Sequence, residues 1–420
     1  MRICIHRGAN EIGGTCVEIE SQGKRLVLDV GLPLDDSDPD EIQLHPINGF
    51  EAADESLLGV VISHPHQDHY GLAYRLPEET PFLIGRAAEA ILNAAALFSP
   101  AGLKLKNVKH LVDRTPINLG PFTITPFLVD HSAYDSYAIL VEADGKRLFY
   151  SGDFRMHGRK ANIVEKLIAN PPPNVDILLM EGTCIGRDNE ERAFPTEDDL
   201  VPQFANYFRQ TPGMPLVWCS GQNIDRIVTI YKACKVAGRQ FIVDMYTAEI
   251  LRATDNPRLP QAHWDGIRVF LPSTQKWRIM AEGAFNISNS YKPFRIYSDN
   301  LAKAAPNSVM LFRPSMVSDL NKASCLNDGC VVNSVWAGYI ANEKNQWFVD
   351  WITEHGLPVH NCHTSGHASV SDLKRLRNAF SDAVAVPVHL SDRKRFAELF
   401  GNVQVHDDGK WWGTDWKLTT

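Results

Sequence analysis

The chain has 420 residues, 44% hydrophobic and 22% charged, a balance that excludes a disordered scaffold and gives room for two packed units. Its net charge of −8 excludes long-range attraction of polyanions, although a local cluster of Lys, Arg and divalent metal can still hold phosphates. No apolar run approaches the roughly 18 residues of a spanning helix, MRICIHRGANEIGG has no secretory pattern, and the eight cysteines form no CxxC pair, which predicts a cytoplasmic protein with reduced thiols and no membrane partner.

In chain order, the first 180 residues read as short β-rich runs with two helical interruptions: MRICIHR, TCVEIE, KRLVLDV, LLGVVISH, FTITPFLVD, YAILVEA, KRLFYSGD and VDILLME. The acidic stretch Asp35, Asp36, Asp38, Asp40 and Glu41 reads as a solvated loop. Arg86 to Phe98, rich in Ala, Leu and Ile, predicts a helix stopped by Ser99-Pro100, and Asp144-Gly145 predicts a hairpin turn. After Arg192 helix and strand alternate: a helix over 199–210, the strand MPLVWCS, a helix from Asn223 to Gly238, the strand QFIVD, then VMLFRP, GCVVNSVW, a helix from Asn342 to His355 and LPVHNCH. This alternation predicts a parallel, doubly wound unit distinct from the first. A helix over 370–380, the strand AVAVPVH and a Trp-rich tail follow.

Directly after LLGVVIS stands His64-Pro-His66-Gln-Asp68-His69. Three imidazoles and a carboxylate in six residues, on a turn leaving a strand, suit zinc. Asp29, His131, Asp153, Glu181 and His389 also each close an apolar run, so strands sharing direction in a sheet would bring them to one rim. Five imidazoles and two carboxylates exceed the four ligands of one tetrahedral zinc and predict two metals, with Asp153 a candidate bridge. His363-Thr-Ser365-Gly366-His367-Ala-Ser369 precedes a helix, where exposed backbone N–H groups can cradle phosphate, and Ser220-Gly221 opens a similar loop.

At these residues the sequence resembles the metallo-β-lactamase superfamily and, within it, the β-CASP nucleases; GANEIGGTCVEIE, SGQNIDRIVTIYKACKVAGRQ and HTSGHAS are most similar to the ribonuclease J family. The resemblance implies an α/β fold: a metallo-β-lactamase αββα sandwich, residues 1–193 and 357–420, with an inserted doubly wound α/β β-CASP domain at 194–356. It implies two zinc ions per chain, with manganese as the alternative occupant. One would be held by His64, His66 and His131, the other by Asp68, His69 and His389, with Asp153 bridging and Asp29 orienting the ligand turn. Asp68, Glu181 and His367 would serve catalysis, Glu181 holding His367 as general acid. Ser365, Gly366, His367, His363 and Ser220 would bind phosphate.

The activity so implied is hydrolysis of single-stranded RNA by a hydroxide that two metals activate. The inserted domain would form a groove in which Trp277, Tyr291 and Phe294 stack bases among Lys276, Arg278, Lys292 and Arg295. Three alternatives share the metal turn: a nuclease acting on DNA, a metallohydrolase for a thioester, lactone or cyclic nucleotide, and a non-catalytic nucleic-acid-binding subunit. A homodimer is among the assemblies the resemblance allows. The sequence departs from the ribonuclease J family in ending about 30 residues after His389, without room for that family's C-terminal domain, and in having FRPSM and NSVWAGY where Gly- and Ser-rich loops are expected.

Overall fold

The computed structural model describes residues 1–34, 38, 40–98, 103–187, 190–336, 338, 340 and 342–418; Asp35 and Asp36 of the acidic loop, the helix stop at Ser99-Pro100, and Ala337 and Tyr339 of NSVWAGY lie outside them. The chain divides into two compact units, one made of Met1–Leu92, Leu103–Phe194 and Gly366–Thr420, the other of Asn93–Gly102 and Pro195–Ser365. Residues 359–361 form an edge strand of the inserted sheet.

The first unit contributes β1 (Arg2–Arg7), β2 (Cys16–Ser21), β3 (Lys24–Leu28), β4 (Leu57–Val61), β5 (Phe82–Gly85), β6 (Val108–Leu111), β7 (Ile117–Leu119), β8 (Phe122–Val129), β9 (Ser136–Ala143), β10 (Lys146–Tyr150) and β11 (Ile177–Met180). The inserted unit contributes β12 (Pro215–Trp218), β13 (Gln240–Asp244), β14 (Ile267–Phe270), β15 (Arg295–Ile296), β16 (Ser308–Phe312), β17 (Cys330–Asn333) and β18 (Val359–Asn361). The chain then returns with β19 (Val384–Pro387) and β20 (Lys410–Gly413).

Two sheets make the first unit, in the orders β20-β1-β2-β3-β4-β5-β6 and β19-β11-β10-β9-β8-β7. The strands β4, β9 and β11 are buried on both faces, which is why they read as near-continuous hydrophobic runs. In β9, Tyr137, Ile139 and Val141 face the core shared by the sheets, where they meet Ile5, Val17, Leu26 and Val61. Their neighbours Ala138 and Leu140 face an outer layer with Val164 and Leu167 of the helix Ala161–Ala169 and Leu373 and Leu376 of the helix Val370–Ala379. On the far side Val27, Val60 and Ile84 pack against Ala88 and Leu92 of the helix Arg86–Ala96. Helix, sheet, sheet and helix form the αββα sandwich of the metallo-β-lactamase fold.

The inserted unit has one sheet, β15-β14-β13-β16-β12-β17-β18, parallel throughout. The helix Ile224–Ala237 is capped by the Asn223 side chain and closed by Gly238 at φ 70°, a conformation that favours glycine. All eight cysteines are free and buried. Among the described residues no helix is long and apolar enough to cross a membrane.

Candidate metal centre

The strands that carry the candidate ligands belong to two facing sheets, not one. Asp29 follows β3 and the His64–His69 turn follows β4 in the first sheet; His131, Asp153, Glu181 and His389 follow β8, β10, β11 and β19 in the second. Within each sheet these strands run the same way, since β3 pairs β4 in parallel, β10, β11 and β19 pair in parallel, and β8 lies two antiparallel steps from β10. Their ends therefore gather without any one sheet holding them all.

The ligand turn is fastened to the loop after β3. Val30 N–H donates to His69 O (2.8 Å), Leu32 N–H to Gln67 O (2.9 Å) and Thr15 N–H to Asp68 O (3.1 Å). The backbones approach so closely at Gly31 that a Cβ there would stand 1.8 Å from Asp68 O. Asp29 and His389 adopt φ of 60° and 57°, left-handed values that cost a side-chain-bearing residue about 1–2 kcal/mol. Both are held there by the contacts that follow.

Two groups of side chains each place one ligand atom per residue within 4.8 Å of the others: His64, His66 and His131; and Asp68, His69, Asp153 and His389. A further group joins Asp153, Glu181 and His367. His131 Nε2 lies 3.1 Å from His66 Nδ1, and Asp153 Oδ2 lies 3.2 Å from His69 Nε2, 3.6 Å from His389 Nε2 and 3.8 Å from His64 Nε2. Asp153 thus belongs to the second and the further group and stands 3.8 Å from His64 of the first.

Behind the ligands, oxygen atoms hold the Nδ1 side of three rings. His69 Nδ1 is 2.8 Å from Asp29 Oδ2, His64 Nδ1 is 3.0 Å from Ser63 Oγ, and His389 Nδ1 is 2.7 Å from Thr15 Oγ1. Asp29 in turn accepts from Ser63 N–H (2.7 Å), Ser63 Oγ (2.8 Å) and Tyr150 OH (2.7 Å). Engaging Nδ1 turns Nε2 inward, and the Nε2 atoms of His64 and His389, with Asp153 Oδ1, are buried and have no hydrogen-bond partner. Orphaned buried atoms of this kind are expensive unless a cation takes them, so the donor set fits metal.

The electrostatics agree. Burial pushes the pKa of His64, His131 and His389 down, and that of His66 to about 4. Burial opposes charge on Asp153 as well, but His389, His69 and His367 outweigh it and hold the carboxylate well below its usual range. Asp68 is likewise lowered, its burial outweighed by His69 and His389. His69 differs: its burial is outweighed by Asp153, Asp29 and Asp68, which hold its pKa well above the usual value, so this ring must give up a proton to ligate metal.

His367 Nδ1 lies 3.2 Å from Glu181 Oε2 and 3.5 Å from Asp153 Oδ2, while Glu181 Oε1 accepts from Phe154 N–H at 2.8 Å. The burial of His367 lowers its pKa, and Glu181 and Asp153 more than reverse this. The candidate phosphate residues are not gathered within one unit: Gly366 and His367 belong to the first, Ser365, His363 and Ser220 to the second. Within the second, His363 Nδ1 stands 3.1 Å from Ser334 O, and Ser220 Oγ accepts from Gln222 N–H at 3.2 Å. The helix Val370–Ala379 is capped by Ser369, which accepts from Asp372 N–H. Of the expected stacking residues, Trp277 is 63% exposed, whereas Tyr291 is 5% exposed with its OH 2.6 Å from Glu249 Oε1, a core residue. Phe294 is half-buried.

Thr15, Ser63, Tyr150 and Gly31 serve this site without standing out in the sequence. Only the position of Thr15 inside GANEIGGTCVEIE offered a signal.

Residues 37–202 match the model of the beta-lactamase superfamily domain. Among curated proteins, ribonuclease J of Helicobacter pylori is 26% identical over 234 residues, 52% of this chain and 33% of that protein. Ribonuclease J of Synechocystis is 26% identical over 248 residues, 56% of this chain and 38% of that protein. The chain thus aligns with 33% and 38% of the length of these relatives. A crystal structure of a protein of unknown function from Enterococcus faecalis V583 superposes with a TM-score of 0.77 at 17% identity, covering 98% of this chain and 99% of that one.

Proposed function

We propose that this chain of metallo-β-lactamase fold is a metal-dependent ribonuclease that hydrolyses phosphodiester bonds of single-stranded RNA. The observation that carries the reading is the pair of ligand groups, Asp153 of one lying 3.8 Å from His64 of the other, with inward Nε2 atoms left for cations. The similarity to two proteins named ribonuclease J supplies the substrate class.

Zinc suits a set rich in imidazole with oxygen ligands. His64, His66 and His131 would hold one ion and Asp68, His69 and His389 the other, with Asp153 between them. Such ions, when bound, supply Lewis acidity to the phosphoryl oxygens and acidify water. Asp29 fixes the His69 ring through Nδ1, and Thr15 does the same for His389. Glu181 holds His367, which stands beside Asp153 and delivers a proton to the departing oxygen. Gly366 binds phosphate beside His367, and the inserted unit, which carries Ser220, His363 and Ser365, is of the β-CASP type.

Purified protein loaded with zinc or manganese is tested on single-stranded RNA, single-stranded DNA and a panel of thioester, lactone and cyclic nucleotide compounds. RNA cleavage that a chelator abolishes is expected. Turnover of a small compound that RNA does not inhibit, with RNA left whole, would reject the reading.

A further inference from the structure

Two of the ligand-bearing strands are not neighbours. β8 leads to His131 and β10 to Asp153, and β9 lies between them in the sheet. With strands spaced at roughly 4.7–4.9 Å, β8 and β10 run about 9–10 Å apart. Metals that act together stand roughly 3.5–4 Å apart. The segments leaving β8 and β10 must therefore be drawn together past the end of β9 at Ser136.

Arg155 and Asp130 close that gap. Arg155 N–H donates to Asp130 O at 2.7 Å, and its Nε to Asp130 Oδ1 at 3.5 Å. Both side chains are fully buried. Asp130 immediately precedes His131 of the first ligand group, and Arg155 follows Asp153 of the second by two residues. Between Asp153 and Arg155, Phe154 N–H donates to Glu181 Oε1 at 2.8 Å, so the segment carrying Asp153 is held by the end of β11 and by the end of β8. The chain then folds over the pair: a Cβ on Gly158 would stand 2.4 Å from each Asp130 carboxylate oxygen and 2.5 Å from Arg155 Nε.

A buried ion pair adds little stability over apolar side chains of similar volume, because desolvation cancels most of the attraction. Its distinctive contribution is geometric, since a planar guanidinium accepts a carboxylate in few placements. We infer that Arg155 is a positioning residue that, through Asp130, sets the spacing between His131 of the first ligand group and Asp153 of the second. This rests on the metal reading of those groups and adds to it the device that spaces them.

The test is zinc affinity of the full chain, measured by competition with a chromogenic chelator, beside circular dichroism and melting of the metal-free protein. Arg155→Lys keeps a cation opposite Asp130 and gives up the planar fork. Asp130→Leu with Arg155→Met replaces the pair by apolar groups, an exchange that buried ion pairs often tolerate without loss of fold. Both variants should fold and bind zinc about 10–100-fold more weakly, as when a residue that orients ligands from behind is removed. A pair that serves stability alone predicts wild-type zinc affinity once the apolar exchange restores the fold. Wild-type affinity in the double variant or, should that not fold, in Arg155→Lys overturns the inference and leaves the metal reading standing. Failure of both variants to fold even with zinc makes the pair a folding element and equally overturns it. A wild type that takes up no zinc removes the metal reading and this inference together.

Discussion

Thr15 Oγ1 stands 2.7 Å from Nδ1 of His389, nearer than the Gly13 N–H at 3.4 Å, and the Nε2 of that ring is buried with no protein partner. For Nε2 to ligate metal, Nδ1 must carry the proton, and Thr15 is placed to accept it. Thr15→Val keeps the shape and removes the acceptor. Affinity for one of two metals should fall about 10–100-fold, read by competition with a chromogenic chelator, the other remaining near wild type. Two unchanged affinities would remove Thr15 from this role.

Gly31 permits the backbone of the ligand turn to lie against the loop after β3. In Gly31→Ala the new methyl would stand 1.8 Å from Asp68 O, so the turn must shift. Metal content should drop, and the metal-free protein should lose about 1–3 kcal/mol of stability from overpacking. Gly401→Ala, where a Cβ meets nothing within 4 Å, is the control and should change neither. A Gly31→Ala protein with full metal content would contradict the packing account.

His66 and His367 separate binding from chemistry. His66→Ala should remove metal and RNA cleavage together. His367→Ala should retain metal and cleave about 10²–10⁴-fold more slowly, the usual contribution of a proton donor. Wild-type turnover in His367→Ala would exclude it as that donor.

Much of this centre was legible because its chemistry is local. His64, His66, Asp68 and His69 announce themselves within one turn, and Asp29, His131, Asp153, Glu181 and His389 each close an apolar run. That these runs lie in two sheets was not legible, since a strand buried on both faces carries no alternation to tell which neighbour it pairs with. The hydroxyls of Thr15 and Tyr150, which reach His389 and Asp29 across from the other sheet, gain their meaning only when the sheets face each other. The strands β5, β6 and β7 have three or four residues each, too short to stand out from loop. Tyr291 reads as a stacking candidate among cations, yet its hydroxyl reaches Glu249, far away in sequence, and the ring is buried.

In the inserted unit, Asp244 Oδ2 accepts from Arg313 Nε and Gln275 Nε2, each at 2.6 Å, and Oδ1 from Thr247 N–H at 2.9 Å. Burial would raise its pKa, but Arg313 and these hydrogen bonds outweigh burial and lower it. A folded-state pKa below the unfolded value of about 3.9 gives stability that is complete above that value and lost as pH falls through the folded one. Asp244→Asn should therefore speed amide exchange in the helix Met245–Ala253 at neutral pH, by about 1–3 kcal/mol of opening energy, with the difference from wild type shrinking in acid. A constant difference across that range would show that the carboxylate charge is not what matters.

The most direct test of a ribonuclease built on paired metals is to strip the chain with chelator and follow cleavage of single-stranded RNA while zinc is returned. The account predicts no cleavage by the stripped protein and activity that rises to a plateau near about two ions per chain. Undiminished cleavage without metal, or intact RNA at every metal load, would contradict it.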